Sequence, residues 1–172
     1  MSASALEACF PILSEEERLR AERLAGNVKR RYVVSRAFRR RVLGAEAEIL
    51  LEENGRPYIK GNPVFFSMSH TGDTLVMAVD AHPIGIDAEM MKNRDFAKLS
   101  CWFFGERIPD REGFYRRWTR FEAGLKLAGL PLFSKAVPTP KYLYSDIFGD
   151  CMLSVASNHK ISLPLSTYSI CF

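Results

Sequence analysis

The 172-residue sequence predicts an α+β chain. Helix-forming stretches lie before Gly44, short apolar runs punctuated by turn residues follow from Glu46 onward, and a further strong helical stretch begins near Phe114. Hydrophobic residues make up 47% of the chain, with 12 Phe, 6 Tyr and 2 Trp, which is enough to fill a packed interior and excludes a disordered chain. The length suits a single ordinary domain or two small lobes sharing a core, so residues 1–172 are expected to form one unit.

Ser14 followed by Glu17 is a capping-box pattern and predicts a first helix over Glu15–Ala25, stopped by Gly26-Asn27. A second is expected from Asn27 to Leu43, with Gly44 as its stop and Val34, Phe38 and Val42 along one side. Seven of the thirteen residues from Lys29 to Arg41 are Lys or Arg, most of them on its other faces. A solvated face is the plain explanation, and an anionic ligand or partner is the other. Asn54-Gly55, between Glu46–Glu52 and Arg56–Lys60, suits a tight hairpin because both residues tolerate positive φ. Apolar runs at Val64–Phe66, Leu75–Val79 and Ile84–Ile86, separated by Thr71-Gly72-Asp73 and His82-Pro83, predict three more short strands. A helix starting within Lys92–Asp95 is expected to carry Phe96, Leu99, Trp102 and Phe103 inward. The helix from Phe114 to about Leu127 places Trp118, Glu122 and Lys126 four apart on one face. The tail from Pro131 is strand-like at Cys151–Ala156 and Ser166–Phe172 and carries no visible chemistry.

No apolar run approaches the roughly 20 residues of a membrane-spanning helix. The start also lacks the basic and long apolar regions of a secretion signal, so a cytoplasmic location is expected. Cys9, Cys101, Cys151 and Cys171 are scattered without a CxxC pair, which argues for free thiols and against zinc. The basic run carries no recognised nucleic-acid-binding motif, so nucleic acid is not expected as a partner.

Chemistry concentrates in Phe65–Glu89. On an extended chain, residues two apart point to one face, so Asp87 and Glu89 aim their carboxylates into one space while Ala88 points away. Carboxylates held together repel unless a cation sits between them, and a hard divalent ion bound through oxygens fits that requirement.

Gly55-Arg56-Pro57, Phe66-Ser67-Met68-Ser69-His70, Gly85-Ile86-Asp87-Ala88-Glu89 and Trp118-Thr119-Arg120-Phe121-Glu122-Ala123-Gly124-Leu125-Lys126, in this order, resemble the motifs of the phosphopantetheinyl transferases, most closely the Sfp-type branch. Arg31–Ala37 also resembles the family's N-terminal helix, so the resemblance covers roughly residues 14–133. It implies two similar α+β halves in pseudo-twofold arrangement, near 1–80 and 81–172, with a coenzyme A cleft between them. It also implies transfer of the phosphopantetheine arm of coenzyme A to a serine of an acyl or peptidyl carrier protein, in fatty-acid, polyketide or nonribosomal peptide synthesis. Asp87, Glu89 and Glu122 would face Mg²⁺, or Mn²⁺ in its place. Ser69 and His70 would contact the phosphates of coenzyme A, Lys126 the pyrophosphate, and Arg20, Arg31, Arg36 and Arg56 the nucleotide end. Glu122, or a water beside the metal, would take the serine proton. The expected state is a monomer, away from membranes, meeting an acidic carrier with its basic helix.

The sequence departs from the pattern at Phe121, where the family usually carries Lys before the glutamate. A family-derived protein that binds coenzyme A or a carrier without turnover is therefore the alternative. Gly124 sits inside the same helix, at about 1 kcal/mol relative to Ala. The segments after Glu89 and after Leu132 are short for this branch.

Overall fold

The computed structural model describes residues 3–53, 56–62, 64–131, 134 and 137–161. It resolves into two compact units, one within Met1–Glu48 and one within Ile49–Leu163.

The first unit is helical. Helix α1 (Ala3–Cys9) passes through a 3₁₀ turn (Phe10–Ile12) to α2 (Glu15–Glu22) and the long α3 (Gly26–Leu43). The capping box forms as the sequence predicts: Ser14 Oγ accepts from Glu17 N while Glu17 returns a carboxylate oxygen to Ser14 N. Cys9, Leu13, Ala21, Val33 and Ala37 make the core, with Leu6, Phe10, Ile12, Tyr32 and Val34 around it. The buried stripe of α3 is thus centred one position earlier than expected, and Val42 is left exposed. The cause is α1 and the 3₁₀ turn, unexpected from the sequence, whose Cys9 and Phe10 pack on the Val33 side.

The arginines of α3 are not all solvated. Arg39 is buried and donates to Glu17 Oε1 at 2.9 Å, and Arg40 donates to Glu17 Oε2 at 2.6 Å. Glu17 therefore caps α2 and also receives two guanidinium groups. Burial works to raise its pKa, but the bonds from Arg40 and Ser14 and the charges of Arg40 and Arg39 more than offset that, and the net shift is downward. Burial and the neighbouring Arg36 push the Arg39 guanidinium downward in turn.

The second unit opens with a short hairpin of β1 (Ile49–Leu51) and β2 (Pro57–Ile59), paired Ile49 to Ile59. Its predicted Asn54-Gly55 turn lies outside the described residues. β3 (Phe65–Thr71) and β4 (Thr74–Asp80) form a second antiparallel pair, with Gly72 at φ +55° in the turn. β5 (Ile84–Met90) belongs to a separate antiparallel sheet of order β5-β7-β6, completed by β6 (Tyr142–Phe148) and β7 (Cys151–Ser157). β7 matches the predicted apolar run at Cys151–Ala156. β6 was hidden in the sequence because Ser145 and Asp146 interrupt its apolar pattern. The expected strand at Ser166–Phe172 and Cys171 lie outside the described residues, and Cys9, Cys101 and Cys151 are free thiols.

Two helices cover this unit. α4 (Phe96–Phe104) is capped by Asp95, whose side chain accepts from Lys98 N. It buries Phe96 and Ser100 and half-buries Leu99 and Phe103, but Trp102 is 74% exposed, not inward as expected. The positions 96, 99, 100 and 103 fill the inner stripe of the helix, and 102 falls outside it. α5 (Arg111–Ala128) starts at Asp110, ends at Gly129 in the left-handed conformation and lies across β5 and β7. One residue of β5 governs that approach: a Cβ on Gly85 would meet Ala123 O at 2.0 Å and Leu127 N at 2.6 Å. Only glycine lets α5 sit this low. Thr119, fully buried, ties the helix to β7 through Ser154 Oγ at 2.7 Å, and Ser145 and Arg120 Nε extend that chain of hydrogen bonds. No helix is long and apolar enough to cross a membrane among the described residues.

Candidate active site

The low seat of α5 brings three carboxylates together. One oxygen from each of Asp87, Glu89 and Glu122 lies within 4.8 Å of the others, which no other group of three metal-capable side chains achieves among the described residues. β5 supplies Asp87 and Glu89 from one face, as the period of two requires, and α5 supplies Glu122. Ala88 is buried on the opposite face. Lys126, one helical turn beyond Glu122, reaches back so that Nζ donates to Asp87 Oδ1 at 2.7 Å. Ser69 Oγ donates to the same oxygen at 2.7 Å.

The cluster is short of positive charge. Asp87 is 1% exposed, and its Oδ2 is buried without a hydrogen-bond partner. Burial, then the charges of Asp87 and Glu89, push Glu122 up to about 7, against the opposing pull of Lys126 and a hydrogen bond from Trp118. Glu89 is raised as well, by burial first and Asp87 second. A buried, orphaned carboxylate oxygen beside two carboxylates that resist ionising is what an all-oxygen cation site presents before its ion is considered. The donor set fits a hard divalent cation, and the residues that would bind it are Asp87, Glu89 and Glu122.

The five other residues expected to hold coenzyme A are placed as follows. His70 follows Ser69 on β3 and so projects from the other face of the strand, where it is exposed. Arg56 donates to Leu127 O at 3.4 Å, near the end of α5, and lies over the Phe65 ring at 5.5 Å. In the helical unit, Arg20 and Arg36 lie over the ring of Tyr32 at 5.6 and 5.0 Å, forming a cationic pair on one aromatic support. Arg31 is exposed on α3.

The sequence also hid part of the site's surroundings. Thr71 Oγ1 donates to Glu89 Oε2 at 3.4 Å and accepts from Met90 N at 2.9 Å. Ser67 Oγ accepts from Ile86 N at 3.1 Å. The alternation of hydroxyls at 67, 69 and 71 was visible as Ser-x-Ser-x-Thr, but nothing in it said that β5 would lie alongside. Beside Glu89, a pocket of about 160 Å³ is lined by Arg94, Leu99, Phe103, Phe114, Tyr115 and Trp118. Phe121 joins this aromatic group, edge-on to Phe104 with ring centroids 6.0 Å apart and 6.4 Å from Trp118.

Known proteins share these motifs. The chain is 32% identical over 145 residues to the 4'-phosphopantetheinyl transferase psf-1 of Bacillus pumilus, covering 72% of this chain and 61% of that protein. It is 32% identical over 151 residues to a 4'-phosphopantetheinyl transferase of Bacillus subtilis, covering 80% and 66%. The 4'-phosphopantetheinyl transferase Sfp of Bacillus subtilis strain 168 matches at 31% identity over 128 residues, covering 66% and 56%. This chain therefore spans between about half and two thirds of the length of these relatives. No family model matches it. Relatives of one kind recur across most of the chain, at about one identical residue in three, and on that similarity it belongs to the phosphopantetheinyl transferase superfamily, with psf-1 and Sfp among its relatives.

Proposed function

We propose that this protein transfers the 4'-phosphopantetheine arm of coenzyme A to a serine of an acyl or peptidyl carrier protein, with Mg²⁺ at Asp87, Glu89 and Glu122. The observation that carries the reading is the convergence of those three carboxylates within 4.8 Å. In this reaction the serine Oγ forms a bond to the pantetheine-side phosphorus of the pyrophosphate. The bridging P–O bond breaks, and adenosine bisphosphate leaves with the electron pair. A bound Mg²⁺ supplies neutralisation of the charge that builds on the pyrophosphate oxygens.

The chain's own residues account for the rest. Lys126 adds a cation at the edge of the carboxylates, where developing negative charge is stabilised without reorganisation. Glu122, or a water beside the metal, is assigned to receive the serine proton. His70, with Ser69 beside it, is assigned to the phosphates, and Arg20, Arg31, Arg36 and Arg56 to the nucleotide end. The family resemblance further implies a single unit over 1–172, built as two α+β halves near 1–80 and 81–172 around the coenzyme A cleft, and a monomer located in the cytoplasm. Phe121 replaces the family's lysine with a ring that packs against Phe104 and Trp118, so the position serves the aromatic group instead of adding charge.

The test is a mass spectrum of apo carrier protein after incubation with this protein and coenzyme A, with Mg²⁺ or with chelator. A gain of one phosphopantetheine that requires the metal is expected. Folded protein that binds coenzyme A but modifies none of several carriers would overturn transfer and leave a binding protein.

A further inference from the structure

β3 and β5 lie side by side without forming a common sheet, since among the described residues β3 pairs with β4 and β5 with β7. Hydroxyls take the place of the missing ladder. Ser67 Oγ accepts from Ile86 N, and Thr71 Oγ1 accepts from Met90 N. Two of the three hydroxyls also reach the acidic cluster, each meeting a different carboxylate eighteen residues ahead: Ser69 donates to Asp87 Oδ1, and Thr71 donates to Glu89 Oε2. The two oxygens of Asp87 are thereby divided. Oδ1 receives Ser69 and Lys126, both at 2.7 Å, while Oδ2 is buried and receives no donor.

We propose that Ser69 and Thr71 are positioning residues for the cation site, fixing the rotamers of Asp87 and Glu89 so that Asp87 offers Oδ2 to the metal and keeps Oδ1 for Ser69 and Lys126. Hydroxyls are suited to this work, because a neutral donor orients a carboxylate without cancelling the charge the cation needs. Ser69 carries the cleaner case: its hydroxyl has no main-chain duty, whereas Thr71 also supports Met90 N. The inference rests on the proposed cation site and assigns to the Ser69 side chain a role toward Asp87 that is separate from contact with coenzyme A.

The experiment measures Mn²⁺ binding by the loss of the free-ion electron paramagnetic resonance signal, without coenzyme A, for the full chain and for Ser69→Ala and Ser69→Thr. Coenzyme A binding is measured separately in chelator by calorimetry. Ser69→Ala is expected to weaken Mn²⁺ about 10- to 100-fold, the usual effect of losing an outer hydrogen bond to a ligand. Ser69→Thr, which keeps the hydroxyl, should recover most of the Mn²⁺ affinity, and the coenzyme A titration in chelator reads any loss of the phosphate contact separately. Unchanged Mn²⁺ affinity in a folded Ser69→Ala protein would overturn the proposal, as would loss of coenzyme A binding in chelator with Mn²⁺ binding intact. Failure of the unsubstituted protein to bind Mn²⁺ would instead overturn the cation site itself.

Discussion

Two clusters of buried charge, one in each unit, both join carboxylates to cationic side chains and end in opposite states. Around Glu17, one carboxylate meets the guanidinium groups of Arg39 and Arg40, and its pKa is lowered. Around Asp87, three carboxylates share one lysine, an oxygen of Asp87 has no donor, and Glu122 is raised to about 7. Partial burial is common to both and does not separate them; the ratio of cations to anions does. The first arrangement pairs its anion with cations and holds α2 to α3, although Arg39 Nε is itself buried without a hydrogen-bond partner. The second is left with excess negative charge, which is a cost in stability and an affinity for a cation.

Removing charge should therefore have opposite signs in the two places. Glu17→Gln takes the anion from beneath buried Arg39 and is expected to destabilise the protein by about 3–5 kcal/mol, read from urea unfolding, because it leaves a buried cation uncompensated. A loss below about 1 kcal/mol would mean that water serves Arg39 as well as Glu17 does.

A second contrast concerns glycine. Gly85→Ala forces a methyl into the main chain of α5 and should cost about 3 kcal/mol or more, with weakened metal binding as Glu122 and Lys126 are lifted from Asp87. Unchanged stability and metal affinity would show that α5 can shift without harm to the site.

The acidic cluster also predicts a pH trend in metal-free buffer. Glu122 is raised in the folded state to about 7, so from an unfolded value of about 4.3 up to that point the folded state holds a proton that the unfolded state has lost. The contribution of Glu122 to stability therefore falls as pH rises through this window, and Glu89, shifted the same way, adds to the fall. Melting temperature should drop between pH 5 and 8 and recover on adding Mg²⁺ at pH 8. Glu122→Gln should flatten the curve and raise metal-free stability at pH 8, the reverse of Glu17→Gln. A steeper fall in Glu122→Gln would contradict the repulsion.

The smallest effect is expected at Gly124. Although it lies within the same packed helix, a methyl there would make ordinary contacts with Val137 at 3.5 Å and Pro140 at 3.7 Å. Gly124→Ala should stabilise by up to about 1 kcal/mol, the gain in helix propensity, as seen in thermal unfolding. A loss of stability would show that those neighbours cannot give.

Much of this was legible in the sequence, and the boundary of legibility has physical causes. The capping box at Ser14–Glu17, the shared face of Asp87 and Glu89 and the shared face of Glu122 and Lys126 follow from local periodicity, which the fold preserved, whereas the meeting of the two faces was expected only from the family resemblance. Partnerships between distant elements were not written locally. Arg39 read as solvated because nothing near it in sequence announces Glu17, 22 residues earlier. Trp102 read as core because apolar character alone does not say which side of α4 meets α5. Gly85 was recognisable as part of a motif, but its reason, the main chain of α5 at Ala123, exists only in three dimensions. The hydroxyls of β3 were likewise visible and mute until β5 lay beside them.

The most direct measurement compares the unsubstituted protein with Asp87→Ala in transfer of phosphopantetheine to an apo carrier protein, followed by mass in the presence of Mg²⁺. Because a catalytic metal contributes several kcal/mol and each 1.36 kcal/mol is tenfold, the rate in Asp87→Ala should fall by about a thousandfold or more while its circular dichroism is retained. A folded Asp87→Ala protein that transfers at the unsubstituted rate would contradict the account.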